Sequence, residues 1–357
     1  MRCYDYCNGS IALASYGTYW RVLRRICTVD MVVLKRINEY KSVRRKCVDQ
    51  MLAWLDEDAR NPHPIDVGRF MYLTMLNMVG NLMLSRDLLD PKSKEGREFF
   101  EAMNSLLEWA EQPNVFDAFP RLSWLDLQGV RRRMNRDLGA ALRIASSFVR
   151  ERMEDMNKGV VQNRPKDFLD VLIEFEGDGK EELTKLSEHE INIVVLEHHR
   201  VGNDRVTLQS KVHGQGSLAI ASTNSFLVPR RAVKDTKFMG YDIPKDTQVF
   251  VNAWAIGRDS ETWDDANSFK PERFSNSKIE FKGQHYELIP FGAGRRISAG
   301  LPLASRMLHL IAGSLLHSYD WELEKFTTRE SLDVDRVGVS TRKAEPLQAI
   351  PKRRAAN

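Results

Sequence analysis

Apolar residues recur at helical spacing through the first half of the chain. From Val43 onward they fall about every fourth residue, at Cys47, Met51 and Leu55, which is typical of an amphipathic helix with one buried face. Methionines crowd the stretch that follows, a composition typical of a packed core rather than of a cofactor site. The pattern predicts helices over 43–58, 66–84, 95–110 and 128–157, with prolines at 113, 120 and 165 in the loops between them.

Two more helices are predicted further along the chain. Ser187 and Glu190 stand three residues apart, in the order of a capping box, before the apolar run 191–196. Residues 198–225 lack helical periodicity, so we expect an irregular segment there. Apolar spacing returns after Gly300 and predicts a helix over 301–316.

Strand signals are confined to the C-terminal third of the chain. Residues 237–241 and 247–255 carry apolar and β-branched side chains on either side of a predicted turn at 242–246. Further strands are predicted at 337–341 and 347–351. The chain is therefore expected to be mainly α with a smaller β region. It divides into a helical region over residues 1–197, an irregular segment over 198–225 and a β-rich region over 226–357.

Composition and charge narrow the class of protein. The chain has 357 residues, of which 42% are hydrophobic and 29% charged, enough for a large core in one or two domains. The net charge of +4 comes with only short, isolated basic runs, so nucleic acid is not an expected partner. Cysteines occur only at 3, 7, 27 and 47, without a second metal-ligand pair, and we expect reduced thiols of an intracellular protein.

The chemistry of the chain is concentrated in residues 290–300, which read Pro-Phe-Gly-Ala-Gly-Arg-Arg-Ile-Ser-Ala-Gly. Glycines at this place let the backbone turn tightly and approach a flat ligand. Ser298 lies at the start of the predicted helix 301–316, where unpaired N–H groups and the helix dipole favour an anion. A glycine- and arginine-rich turn that cradles a phosphate before an ordinary helix is the alternative for this segment alone.

Four other motifs occur in a fixed order around this loop, and together the five resemble those of the cytochrome P-450 superfamily. The pattern F-x-x-G-x-R-x-C-x-G is met by Phe291, Gly294, Arg296 and Gly300, but Ser298 stands where the cysteine is expected. The others are the W-x-x-x-R pair Trp20 and Arg24, the D-F-L-D-x-L run 167–172, the N-x-W-A-I-x-R-D…W segment 252–263 and the P-E-R-F element 271–274. The sequences of these motifs are most similar to those of plant microsomal members that oxidise terpenoid-like metabolites. The resemblance covers 1–197 and 226–357, and the fold it implies is an incomplete P-450-like fold.

The resemblance assigns roles to these positions. Trp20, Arg24 and Arg296 would contact the propionates of a haem, with Phe291, Gly294 and Gly300 shaping the haem-binding loop. Position 298 would carry the axial iron ligand, a cysteine thiolate that favours O–O cleavage. Arg273 would close a buried salt-bridge network with a Glu-x-x-Arg helix. The implied cofactor is therefore haem.

Several departures from the family pattern stand beside these matches. The oxygen-activating A-G-x-[DE]-T-T segment and the Glu-x-x-Arg helix have no counterpart where they are expected, as in an internally deleted chain. Glu197 and Arg200 spell E-x-x-R at another place, which we interpret as chance, and His198 and His199 are expected to be exposed loop residues. No apolar run is long enough to span a bilayer, so the family's membrane anchor is not found in this sequence.

Three hypotheses for function follow. The first is a haem-dependent monooxygenase that hydroxylates a small apolar, terpenoid-like substrate with O₂ and electrons from an NADPH-dependent reductase. The second is a catalytically inactive relic or pseudoenzyme, because Ser298 replaces the thiolate and two helices are missing. The third is a non-catalytic binding protein. The family implies the endoplasmic reticulum membrane; the missing anchor leaves the cytoplasm or an unknown location for this chain.

Overall fold

The molecule is described by a computed structural model. It covers residues 3–60, 63–88, 126, 128–160, 166–177, 183–206, 225–268, 270–324, 335–336, 342–343 and 347–354. The helices among them are α1 (Tyr6–Gly9), α2 (Thr18–Ile26), α3 (Leu34–Glu39), α4 (Lys41–Asp58), α5 (Val67–Leu84), α6 (Val130–Asn157), α7 (Phe168–Ile173), α8 (Glu188–Val206), α9 (Ala253–Ile256) and α10 (Leu301–Ser318). Strands are few and short, so the prediction of a mainly α protein with a smaller β region is confirmed.

The core is helical and lies where α4, α5, α6 and α8 pack together. Helix α5 is buried almost all round, which explains why its sequence is apolar on every face rather than on one stripe. Three of the predicted helices, at 43–58, 66–84 and 128–157, correspond to α4, α5 and α6. The predicted helix 95–110 lies outside the described residues.

Helix α8 is longer than expected. It begins at a capping box in which the Glu190 amide donates to Ser187 Oγ (3.3 Å) and the Ser187 amide donates to the Glu190 carboxylate (2.7 Å). It runs on to Val206 instead of ending before 198, so the prediction of an irregular segment is wrong for residues 198–206. A nucleated helix gains a backbone hydrogen bond with each further residue, so it does not need an apolar stripe to continue. His198 accordingly lies on this helix, half-buried, rather than in an exposed loop.

A three-stranded antiparallel sheet joins distant segments of the chain. Its strands are β1 (Ile65–Asp66), β9 (Gln348–Arg353) and β6 (Tyr319–Leu323), with β9 in the middle. The predicted strand 347–351 is confirmed as β9, whereas 337–341 falls outside the described residues. Ala349 of β9 is 2% exposed and belongs to the main core, so this strand packs in the same core as the first helices.

The hairpin predicted between 237–241 and 247–255 is wrong. Residues 253–255 of the second predicted strand belong to α9, and Gln248–Val249 pair with Arg230–Arg231. The observed hairpin joins β3 (Thr236–Phe238) and β4 (Tyr241–Ile243) through a two-residue turn at Met239 and Gly240, whose φ values are 49° and 85°. Two consecutive positive φ angles are those of a type I′ turn, whose twist matches antiparallel strands. The turn therefore precedes the predicted one at 242–246. The remaining short strands are β2 (Arg230–Arg231) with β5 (Gln248–Val249), and β7 (Asp335–Arg336) with β8 (Arg342–Lys343).

A buried ion-pair network fixes α7 against α6 and the end of α5. Arg152 of α6 donates through Nη1 to both oxygens of Asp167 (3.0 and 3.1 Å) and to Asp170 Oδ1 (2.6 Å). Its Nη2 donates to the carbonyl of Leu84 (3.3 Å), where α5 ends. Asp167 and Asp170 form the capping box of α7, so the predicted 167–172 motif is the start of this helix.

Within the described ranges, none of the helices combines the length and the apolar composition needed to cross a membrane.

Candidate functional site

The loop 290–300 is a compact turn anchored by one aromatic side chain. Phe291 is buried in the cluster that contains Trp263 and Phe274, and its ring centroid lies 6.0 Å from that of Phe281. The Ser298 amide donates to the carbonyl of Phe291 (3.0 Å), which closes the loop on itself. Positive φ angles at Gly292 (74°) and Gly294 (67°) make this path possible, since residues with a Cβ rarely adopt them.

Ser298 and Gly300 join this loop to α10. The Leu301 amide donates to the Ser298 carbonyl (3.3 Å), and the Ala304 amide donates to the carbonyl of Gly300 (2.9 Å), the N-cap residue. Ser298, half-buried, thus stands immediately before the amino end of an 18-residue helix, as the sequence predicts. The amino end of such a helix favours negative charge.

Arg296 leaves this loop and reaches the first residues of the chain. Its Nη2 donates to the carbonyl of Ala14 (2.6 Å) and its Nη1 to that of Ala12 (3.4 Å). The guanidinium carbon lies 4.4 Å from the centroid of the Trp20 ring. Burial, followed by the nearby positive charges of Arg230 and Arg24, lowers the pKa of Arg296. Several cationic side chains therefore share one half-buried region.

Trp20 and Arg24 lie on α2, one turn apart and beside Arg296. Trp20 is 4% exposed, and its indole N–H donates to the carbonyl of Ile11 (2.9 Å). Arg24 is half-buried, and burial lowers the pKa of its guanidinium. The structure thus brings Arg296 to Trp20 and Arg24, which precede it by more than 270 positions in the sequence. Arg230 joins them, although it was not predicted as a site residue.

Glu197 is the second residue that sequence reasoning missed. Its carboxylate is 2% exposed and accepts hydrogen bonds from Ser10 Oγ (2.8 Å), from the Ile11 amide (2.6 Å) and from the Ala12 amide (2.7 Å). One signal could have found it. Glu197 stands three and four residues after the buried Val194 and Ile193, so a helix continued past 196 places it on the buried face.

Arg273 lies in a separate place, in the turn Pro271–Phe274. Its guanidinium donates to the backbone carbonyls of Lys270 (3.1 Å), Asp265 (3.1 Å) and Ser268 (2.8 Å). Its Nη1 is buried, and no group among the residues that the structure describes accepts a hydrogen bond from it. A carboxylate partner for this nitrogen is therefore not found among the described residues.

The thiols and metal-ligating groups do not suggest another centre. Across the described ranges of the chain, no group of three or more His, Cys, Asp or Glu side chains is placed to hold a metal ion. Cys27 and Cys47 are buried thiols, and burial raises the pKa of both, that of Cys47 to about 12. Cys27 Sγ contacts His198 Nε2 at 3.7 Å. A thiol with a raised pKa is a poor nucleophile and a poor metal ligand at neutral pH.

Comparison with known proteins decides the family. The family model described as cytochrome P450 matches residues 2–203 and 220–348. The chain is 47% identical to cytochrome P450 76A2 of Solanum melongena, over 99% of this chain and 78% of that protein. It is 40% identical to iridoid oxidase (99% and 78%) and 34% identical to geraniol 8-hydroxylase (96% and 77%), both of Catharanthus roseus.

The chain belongs to the cytochrome P450 family. Solved structures agree on the fold: a zebrafish cytochrome P450 with progesterone has a TM-score of 0.77 at 18% identity, covering 98% of this chain and 86% of that one. A retinoic-acid-bound cyanobacterial cytochrome P450 has a TM-score of 0.76 at 16% identity, with coverages of 98% and 82%. The family implies a haem cofactor, a small-molecule substrate and a reductase that supplies electrons.

The residues of this P450 fit its cofactor on one side only. Burial and then the charges of Arg230 and Arg24 lower the pKa of Arg296, and all three side chains are half-buried. Guanidinium groups in this setting are the chemistry that would hold haem carboxylates by charge-assisted hydrogen bonds. Ser298 does not fit the iron side. A serine hydroxyl is un-ionised at neutral pH and is a poor substitute for the thiolate that the family's chemistry requires.

Proposed function

We propose that this chain is, by descent, a haem-dependent monooxygenase whose substrate is a small apolar, terpenoid-like molecule. The single observation that carries the choice of cofactor is the meeting of Trp20, Arg24 and Arg296 beside the loop 290–300. The substrate class rests on the names of the relatives, iridoid oxidase and geraniol 8-hydroxylase. Haem, when bound, supplies the activation of O₂, and the reductase supplies the electrons.

A catalytically inactive copy is the second candidate, and Ser298 is the observation that favours it. Without a thiolate, iron loses the ligand that favours O–O cleavage. Arg273 points the same way, because its buried Nη1 has no acceptor among the described residues and the Glu-x-x-Arg helix expected to supply one is not found in the sequence. In this reading the copy keeps the cationic pocket for haem carboxylates and lacks the reaction.

The absorption spectrum of the reduced, carbon-monoxide-bound protein separates the two candidates. The protein is reconstituted with haem, in parallel with a Ser298→Cys variant whose side chain has nearly the same size. A thiolate-type Soret band in the wild-type protein would eliminate the inactive copy. A thiolate-type band in Ser298→Cys alone would identify the serine as the defect. The absence of haem from both proteins would contradict the proposed cofactor site.

Turnover is the matching functional measurement. Geraniol serves as the probe substrate, with an NADPH-dependent plant P450 reductase as electron donor, and products are read by mass spectrometry. The monooxygenase proposal expects a hydroxylated product from Ser298→Cys, and from the wild-type protein only if its spectrum is of the thiolate type. We also propose the endoplasmic reticulum membrane, the location that the family implies, for this chain. Membrane fractionation of the expressed chain tests this location, and recovery in the soluble fraction alone would contradict it.

A further inference from the structure

The residues Ser10–Ala14 form a turn that lies between the central helix α8 and the loop 290–300. On the α8 side this turn donates three hydrogen bonds to Glu197, from Ser10 Oγ and from the amides of Ile11 and Ala12. On the other side its carbonyls accept hydrogen bonds from Trp20 and Arg296. The Ser10–Ala14 turn is therefore hydrogen-bonded both to Glu197 of α8 and to the side chains of Trp20 and Arg296.

A single peptide group of this turn is bonded to both Glu197 and Trp20. The Ala12 amide, which donates to Glu197 (2.7 Å), and the Ile11 carbonyl, which accepts from Trp20 Nε1 (2.9 Å), belong to the same peptide group. In a planar trans peptide the N–H and C=O bonds point in opposite directions. By holding the N–H, Glu197 thus orients the carbonyl of that group toward the indole on the far side.

The two donors that this turn occupies are not equivalent. Trp20 has a single N–H, which the Ile11 carbonyl uses completely, so it has no second hydrogen to offer. Arg296 has five N–H donors, and the Ala12 and Ala14 carbonyls take only some of them. A carboxylate ligand that entered this region could therefore bind Arg296 beside the turn, but it could bind Trp20 only after the turn had moved.

We infer that Glu197 is a positioning residue that holds the Ser10–Ala14 turn across the indole donor of the cationic site and so keeps the site partly closed to carboxylates. This inference rests on the proposed function, because it takes the same site as the place for haem carboxylates. The inference adds that the Ile11 carbonyl of the turn competes with such a ligand for the indole N–H of Trp20. Loosening the turn is expected to strengthen the binding of a porphyrin dicarboxylate.

Two variants loosen the turn in different ways. Glu197→Gln keeps the size of the side chain but replaces one acceptor oxygen by an NH₂ group, which cannot accept from the turn. Ser10→Ala removes the hydrogen bond from Ser10 Oγ to Glu197 (2.8 Å), together with the one that Ser10 Oγ accepts from the Leu13 amide (3.0 Å), without changing any charge. Glu188→Gln is the matched control, since Glu188 lies on the same helix but at its exposed start.

Two measurements read the effect, and neither needs iron. Hydrogen exchange of the Ile11 and Ala12 amides, which donate to Glu197, reports the turn itself. Fluorescence titration with metal-free protoporphyrin IX, and with its dimethyl ester as the control ligand, reports the site. Both Glu197→Gln and Ser10→Ala should speed the exchange, on the order of tenfold for the loss of a charge-assisted hydrogen bond. Both should tighten protoporphyrin IX binding several-fold, and neither should affect the ester. Glu188→Gln should change neither quantity.

The outcomes that overturn the inference are distinct. Unchanged exchange in both variants would show that Glu197 does not hold the turn. Faster exchange with unchanged or weaker protoporphyrin IX binding would show that the turn does not cover the site. Tighter binding in Glu197→Gln but not in Ser10→Ala would assign the effect to charge alone. If Glu197→Gln does not fold, Ser10→Ala still decides. Because metal-free porphyrin reports nothing about iron ligation, the proposed function fails separately, in the carbon monoxide spectrum.

Discussion

The buried Arg152 network predicts a large and pH-dependent loss of stability when the arginine is removed. Arg152 is 8% exposed, and its partners Asp167 and Asp170 are 1% and 7% exposed. Replacing Arg152 by Met leaves these two carboxylates facing each other in the core without the guanidinium. Breaking a buried ion pair from one side costs about 3–5 kcal/mol, since the remaining charge is left uncompensated.

The dependence on pH follows from the direction of the shift at Asp167. Burial raises the pKa of this carboxyl above its ordinary value of 3.8, while Arg152 opposes the rise. In Arg152→Met the opposition is gone, so the pKa in the folded state rises further. A raised carboxyl pKa makes the folded state relatively more stable at low pH, and this stability is lost as the pH rises through the folded-state value. The loss of stability in Arg152→Met should therefore be largest at neutral pH. It should become smaller as the pH falls toward 3.8, the ordinary pKa of an aspartate, because Asp167 is then protonated in the folded variant.

Urea unfolding followed by circular dichroism measures this effect, at about pH 7 and about pH 4.5. The matched control is Arg150→Met on the same helix. Arg150 is 69% exposed and pairs with Glu188, so its removal should cost no more than about 1 kcal/mol at either pH. Equal losses in the two variants, or a loss in Arg152→Met that does not change with pH, would refute the reasoning.

Four other variants test the site and the fold. Ser298→Cys should yield a thiolate-type Soret band after haem reconstitution, and a band no different from that of the wild type would show that the serine is not the limiting defect. Gly294→Ala should cost about 1 kcal/mol, from a φ of 67° alone, because an added Cβ meets nothing within 4 Å. Gly283→Ala should cost more in the same unfolding assay, because its Cβ would also lie 3.0 Å from a backbone carbonyl, and equal costs would contradict this. Tyr319→Phe removes a hydroxyl whose single hydrogen faces the Asp56 carboxylate (2.6 Å) and the Leu52 carbonyl (3.0 Å); unfolding should show a loss of about 1–3 kcal/mol, and a neutral result would mean that water replaces this donor.

Much of the helical region could be predicted from the sequence, because burial leaves a local trace. Helices α4 and α6 repeat apolar residues at helical spacing, since one face of each meets the core. The end of α8 could not be predicted in the same way. The apolar repeat stops near 197, but the backbone hydrogen bonds of the helix continue to Val206. The turn at Met239 was missed for another reason: methionine rarely adopts a positive φ, so its sequence does not indicate a turn.

The candidate site was only partly predictable. Trp20, Arg24 and Arg296 were identified because their motifs are local strings. Glu197 was interpreted as part of a chance match because its E-x-x-R string stands at the wrong place in the motif order. Its actual partners are 185–187 positions away, and no local pattern records such a contact. Arg230 was missed because a pair of arginines after a proline is an ordinary surface sequence. What determines both residues is the packing of distant segments, which sequence periodicity does not describe.

The position of β9 in the middle of its sheet has a consequence for synthesis. Strand β9 follows both β1, near position 65, and β6 in the chain, yet it lies between them in the sheet. During translation β1 and β6 therefore leave the ribosome before the strand with which each of them pairs. Until β9 follows, Tyr319–Leu323 presents an unpaired edge, the kind of strand that recruits other chains. We therefore expect this sheet to form late in folding, after the helices that precede it.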